Sequence, residues 1–300
     1  MSDLSASPAA STNGRPLLAA AWMVGAIVAF TSMAIAGRAA ALELDTFEIM
    51  FYRSVAGIGI VVLLAWMFGT LSQINPRRMD LHVGRNLCHF AGQNLWFYAL
   101  TLIPLAELFA LEFTSPLWVM VLAALFLGER LTLRKGVAAA LAFAGVLLVV
   151  RPGTADMNIG HLMAAVAAIC FASTAIFTKK LTNRESITCI LFWLTVLQTG
   201  FGAVAVLYDG DITLPSAISL PWVILIAVAG LVAHFCLTTA LSLAPASIVF
   251  PMDFARLPVI VAVGALLYSE PLQPLVLIGA ALILYGNWIN IKSAVKAAKK

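Results

Sequence analysis

Six ionisable side chains fall inside long apolar stretches of this chain: Arg53, His89, Glu112, His234, Asp253 and Arg256. If those stretches cross a bilayer, each charge is costly there and persists chiefly where it faces a cavity or a partner. Asp253 and Arg256 stand i,i+3, close enough to pair on one helix face. Glu112 has no cation three or four residues away and is expected to exchange protons. Arg53 lies five residues after Glu48 and is expected to snorkel toward the interface or to bind Glu48 loosely. Prolines reinforce the choice: Pro116 follows Glu112 by four residues, and Pro251 and Pro258 bracket Asp253 and Arg256. Both helices are expected to kink or open beside their acids.

In and just before the apolar run at 86–103, Arg85, His89, Gln93 and Trp96 recur at spacings of three and four, which aligns them on one helix face. Turned to lipid, that face would be expensive, so it is expected to line the inner half of a pathway. His234 shares a face with Thr238, and Ser32 and Ser173 supply a further pair of hydroxyls, which in membrane helices often bond their own backbone. With Ser115, the expected substrate-binding set is Ser32, Gln93, Trp96, Glu112, Ser115, Ser173, His234, Thr238, Asp253 and Arg256, with Glu112 coupling protons. Trp96, Tyr98, Trp118 and Trp193 could stack on a planar ligand or anchor spans at the interface.

The elements that position these residues follow from composition. With 62% hydrophobic and 11% charged residues, the chain lies far from the roughly 25% charged content of soluble domains. Apolar runs of about 20 residues, the length that crosses a hydrocarbon core, occupy 17–37, 46–69, 86–103, 105–127, 133–150, 160–179, 187–208, 220–242, 246–268 and 273–292. Alternating the connections between two sides gathers Arg15, Arg77, Arg78, Arg85, Arg130, Arg134, Lys135, Lys179, Lys180, Arg184 and the C-terminal lysines on one face, against Arg38 and Arg151 on the other. The excess of positive charge places both termini in the cytoplasm. Basic residues placed this way orient spans, so the net charge of +4 does not point to nucleic acid. The first span mimics a signal peptide, but nine further spans argue against its cleavage.

A shift of 141 residues pairs Phe30 with Phe171, Ser32 with Ser173, Arg38 with Lys179, Pro104 with Pro245, Phe113 with Phe254, Glu129 with Glu270 and Gly145 with Gly286. The same shift relates Glu112 to Asp253 and Gln93 to His234. Five helices per repeat is an odd number, so the second repeat enters the membrane from the opposite side. The expected fold is all-α and polytopic: ten transmembrane helices as two inverted five-helix repeats, 17–152 and 153–292, between a disordered cytoplasmic tail (1–16) and a basic one (293–300). Glu129 and Glu270, at helix ends, are expected to tie a terminus to the following loop.

Phe51-Tyr52-Arg53, then Gln93 to Leu100 leading to Pro104, Phe113-Thr114-Ser115-Pro116 and Leu127-Gly128-Glu129-Arg130-Leu131 resemble the drug/metabolite transporter superfamily in its ten-span EamA-type branch. The second half departs from the pattern, with Leu194 opposite Arg53 and Ser269-Glu270-Pro271 opposite Gly128-Glu129-Arg130. The resemblance implies a secondary carrier with a central cavity lined by both halves, and substrates drawn from amino acids, nucleosides, vitamins and cofactors.

The expected function is a secondary active transporter of the inner membrane. It moves a small polar or zwitterionic metabolite by alternating access, proton-coupled or by exchange, bound between spans 1, 3, 4, 6, 8 and 9; family precedent slightly favours export. Two alternatives stand beside it: an uptake carrier for a vitamin or cofactor-like planar metabolite, and a membrane-embedded acyltransferase-type enzyme. Against the enzyme, none of His82, His89, His161 and His234 has an Asp five residues later. Cys88, Cys170, Cys189 and Cys236 lack metal or redox spacing, so no metal or cofactor is expected. The expected partners are a small-molecule substrate and the lipid bilayer, with homodimer formation left open.

Overall fold

A computed structural model describes residues 15–129, 132–151, 157–210, 212–271 and 273–298, and every regular element among them is helical. Residues 1–14 of the expected N-terminal tail, Arg130, and Lys299 and Lys300 lie outside the described residues. The helices are α1 (Pro16–Ala40), α2 (Thr46–Met67), α3 (Met79–Leu102), α4 (Leu105–Glu112), α5 (Ser115–Leu127), α6 (Leu133–Val150), α7 (Ile159–Thr182), α8 (Ile187–Asp209), α9 (Leu220–Leu243), α10 (Ala246–Met252), α11 (Arg256–Tyr268) and α12 (Pro274–Ala298). In hydrocarbon no water can satisfy a backbone N–H or C=O, so the chain must bond to itself within each segment.

Among the described residues, seven stretches are long and apolar enough to cross a membrane: α1, α2, α4 with α5, α7, α8, α9, and Ile248–Tyr268. The apolar parts of α6 and α12 are shorter, Gly136–Val149 and Pro274–Gly286. At 24 residues α3 is as long as its neighbours, but it carries His82, Arg85, Asn86, His89 and Gln93, each 3% exposed or less. It starts seven residues earlier than its apolar run because its first turns bury polar groups against α7 and α8 rather than apolar ones against lipid. Arg85, counted above with the basic loop residues, is therefore an interior side chain. Outward faces carry large apolar residues such as Leu125 (70% exposed) and Leu266 (82%), a surface suited to lipid.

Helix starts follow local chemistry. Asp45 and Glu48 form a reciprocal capping box on α2, and Asn158 with His161 does the same on α7. The expectation that Glu48 binds Arg53 fails for this reason. Glu48 accepts from the backbone N–H groups of Asp45 and Thr213, while Arg53 is buried and directs Nη1 at the Met33 sulfur, 3.8 Å away. Gly128, after α5, adopts a left-handed conformation (φ 67°), and Ser269, after α11, does so too (φ 54°).

The 141-residue shift carries one set of elements onto the other: α3 onto α9, α2 onto α8, α5 onto α11, α6 onto α12. Packing follows the same relation. α1 lies on α9 and α3 on α7, two contacts exchanged by the shift, while α2 on α8 and α6 on α12 are each returned to themselves. Where α6 meets α12 the backbones nearly touch, and a Cβ at Gly145 would stand 2.5 Å from the Gly279 carbonyl oxygen. Small residues permit that approach where lipid provides no hydrophobic drive between helices.

Both ends of the bundle are tied by matching bonds. At one end Arg38 donates to the Leu100 and Ile103 carbonyls and pairs with Glu270 at 2.9 Å, and Glu270 accepts from the Leu105 N–H. At the other, Lys179 donates to the Leu241 and Ala244 carbonyls, and Glu129, within electrostatic reach of Lys179, accepts from the Ala246 N–H. Every partner in the second set is displaced by 141 residues from its equivalent in the first. Both glutamates reach across to other helices, Glu270 to Arg38 and the Leu105 N–H and Glu129 to the Ala246 N–H.

Candidate functional site

Two broken helices meet at the middle of the bundle. Pro116 has no N–H to offer the Glu112 carbonyl, so the helix ends at Glu112 and restarts at Ser115. The freed carbonyl accepts from the Ser115 hydroxyl at 2.5 Å, and the Thr114 hydroxyl bonds the Leu111 carbonyl. Pro258 acts in the same way on the Phe254 carbonyl, and Asp253–Ala255 forms a 3-10 turn between α10 and α11. Each break leaves a carboxylate beside an interrupted helix.

Arg256 binds both. Its Nη2 lies 2.5 Å from Asp253 Oδ2 and 2.5 Å from Glu112 Oε1, while the Trp96 indole N–H donates to Glu112 Oε2 at 2.7 Å. Glu112 thus has the cation that its local sequence lacks, supplied by another helix. The guanidinium carbon stands 4.8, 5.0 and 5.6 Å from the ring centres of Phe109, Phe30 and Phe113, a cation–π cage that partly replaces lost hydration.

From this cluster a cavity runs along the bundle, walled by α1, α3, α4 with α5, α7, α9, and α10 with the turn into α11. Seen along each helix, the lining lies around the middle of α1 and α3, in the second half of α7 and α9, and at the end of α10. Of the expected binding residues, Gln93, Trp96, Glu112, Ser115, His234, Thr238, Asp253 and Arg256 line it. Ser32 and Ser173 do not: each hydroxyl donates to the carbonyl four residues back in its own helix, at 3.0 Å. Tyr98 and Trp118 are 47% and 42% exposed and do not line it, and Trp193 donates to the Asn75 carbonyl at 2.8 Å, holding the loop before α3.

Arg85 and His89, from the expected stripe, stand in this wall, and the sequence reading did not foresee their partners or the phenylalanines beside them. His89 and His234 approach each other at 2.8 Å, Nε2 to Nε2, so one ring donates its N–H and the other accepts. Arg85 reaches Thr178 Oγ1 at 2.8 Å, and Phe30, Phe113, Phe171 and Phe250 add aromatic surface. Asp253 Oδ1, Arg256 Nε, Arg85 Nη1, Thr238 Oγ1 and His89 Nδ1 are buried with no hydrogen-bond partner among the described residues. Unmet donors and acceptors around one hollow are what a polar ligand would satisfy. A smaller cavity beyond His234 is bordered by Arg53, Thr195 and Gln198.

Comparison with known proteins places this geometry. The EamA-like transporter family matches residues 17–151 and again residues 158–291. The chain is 28% identical over 279 residues to the riboflavin transporter of Vibrio cholerae, covering 91% of this chain and 93% of that one. It is 30% identical to the riboflavin transporter of Brucella anthropi (87% and 94%) and 26% identical to the S-adenosylmethionine uptake transporter of Rickettsia felis (93% and 94%). A crystal structure of a protein superposes with a TM-score of 0.76 at 17% identity, covering 94% of this chain and 99% of that one, a likeness of fold.

Proposed function

Since the chain belongs to the EamA-like transporter family, and so is a multi-pass membrane protein that carries a small molecule, we propose that it is a secondary active carrier. It works by alternating access between two inverted five-helix repeats, in which α4 with α5 and α10 with α11 each count as one of ten spans. The observation that carries this reading is the cavity itself, whose wall is drawn from equivalent helices of both halves around two broken helices. Broken helices at a repeat interface recur in secondary transporters.

On α7 and α9 the lining leans toward the end that bears Lys180 and Arg184, the cytoplasmic end by the excess of positive charge. This favours an inward-facing state of an inner-membrane protein with both termini in the cytoplasm, sealed outside by the bonds of Arg38 and Glu270. The cargo is a polar or zwitterionic metabolite with a planar part, received by the aromatic wall. The names of the relatives, riboflavin transporter and S-adenosylmethionine uptake transporter, favour a vitamin or a nucleoside-derived cofactor as the cargo, and the second favours uptake. Gln93, Trp96, Ser115, His234, Thr238, Asp253 and Arg256 bind the substrate, and Glu112, able to exchange Arg256 for a proton, couples transport to the proton gradient.

Counterflow in proteoliposomes tests the proposal. Labelled riboflavin or S-adenosylmethionine should enter vesicles preloaded with the same compound faster than empty ones, and should saturate. Linear, unsaturable entry of every metabolite tried would leave a channel or a scaffold in its place.

A further inference from the structure

Among the described residues, the arginines that lie within helices and are buried or partly buried are Arg38, Arg53, Arg85 and Arg256, and they differ in how their charge is met. Arg38 has Glu270, and Arg256 has both Glu112 and Asp253. Arg85, 1% exposed, has among the described residues no carboxylate at all. Its Nε bonds the Thr178 hydroxyl, and its Nη1 has no partner. A buried guanidinium without an anion works against folding, and residues that cost stability persist where they serve a function.

Arg85 lines the same cavity as the Glu112–Asp253–Arg256 cluster. The cluster carries one net negative charge, and Arg85 one positive charge. On α3, Arg85 and Trp96 stand eleven residues apart, which is ~16 Å along the helix axis, and Trp96 touches the cluster through Glu112. The hollow is thus dipolar along its length, negative at the broken helices and positive near the start of α3, with aromatic rings in its wall.

Resting on the carrier reading above, we infer that Arg85 binds an anionic group of the substrate, a carboxylate or a phosphate. The substrate is then an elongated metabolite whose other end presents a cation or N–H donors to Glu112 and Asp253. Thr178 is a positioning residue that holds the guanidinium by its Nε and leaves the Nη groups for the ligand. Arg53 also lacks a carboxylate partner among the described residues, but it borders the smaller cavity beyond His234, so it serves as a control.

The test uses the full-length carrier and two ligand pairs that differ by an anion: S-adenosylmethionine against its decarboxylated form, and flavin mononucleotide against riboflavin. Wild type should bind the anion-bearing member of at least one pair about tenfold more tightly, the worth of one charge-assisted contact. Arg85→Gln should bring that pair within twofold, Arg85→Lys should keep part of the preference, and Arg53→Gln should leave it intact. Without ligand, Arg85→Gln should also melt about 3 °C higher than wild type, because it removes an unmet buried charge. A lower melting temperature would make Arg85 a structural residue. Absence of an anion preference in both pairs, or its survival in Arg85→Gln, would overturn the inference. Counterflow that persists unchanged in Arg85→Gln would sink this inference alone, whereas counterflow absent from wild type for every metabolite would sink the carrier reading as well.

Discussion

Arg256 and Glu112, 144 residues apart in the chain, lie 2.5 Å from one another where two broken helices meet, and Asp253 shares the same guanidinium. One cation between two carboxylates holds α4 to α11 and leaves a surplus negative charge facing the cavity. Removing the cation alone strands two buried acids.

Arg256→Leu should therefore cost about 3–5 kcal/mol, the usual loss on breaking a buried ion pair from one side. The triple variant Glu112→Gln, Asp253→Asn, Arg256→Leu should recover most of that stability without recovering transport. Thermal melting and counterflow on the same preparations check both halves.

Glu112→Gln keeps an acceptor for the Trp96 indole and removes the exchangeable proton. Under the proposed coupling role it abolishes accumulation driven by an imposed pH gradient while counterflow at equal pH survives. Intact gradient-driven accumulation would remove Glu112 from the coupling mechanism.

Arg38→Gln strips the guanidinium from Glu270 and from the carbonyls of Leu100 and Ile103. Both side chains of the ion pair keep some exposure, so the loss should be smaller than for Arg256, about 1–2 kcal/mol. If this cluster closes the outer end, a cysteine placed at Leu105 reacts faster with an impermeant maleimide in the variant than in a wild-type background.

Gly145→Val sets side-chain atoms where the Gly279 carbonyl already stands. α6 and α12 must separate, and a loss of several degrees in melting temperature follows. The same change at Gly59, which faces open space, should be close to neutral and is the control.

Ser269→Gly should stabilise the fold by about 1 kcal/mol, because a left-handed residue with a Cβ is strained by that order. Gly128 already occupies the equivalent position in the first half. A melting temperature below that of wild type would mean that the Ser269 side chain contributes a bond worth more than the strain.

Residue order alone carried a good part of this molecule. Apolar runs announced membrane-crossing helices because a bilayer demands a fixed length of them. The 141-residue shift also relates the first residues of α3 and α9, Met79 and Leu220, although the apolar run had put the start of the former at 86. Asp253 with Arg256 was legible because i,i+3 neighbours on one helix meet whatever surrounds them. The prolines marked both breaks by removing a backbone donor.

Partners on different helices were not legible. Glu112 with Arg256, His89 with His234, and Arg38 with Glu270 each join residues more than a hundred positions apart. In a soluble helix the apolar stripe reveals the buried face, but a membrane helix is apolar toward lipid as well as toward its neighbours, so hydropathy hardly says which face packs inward. Close approach of small residues, such as Gly145 against Gly279, decides that rotation. Only then does it follow that Ser32 and Ser173 bond their own helices while His89 meets His234.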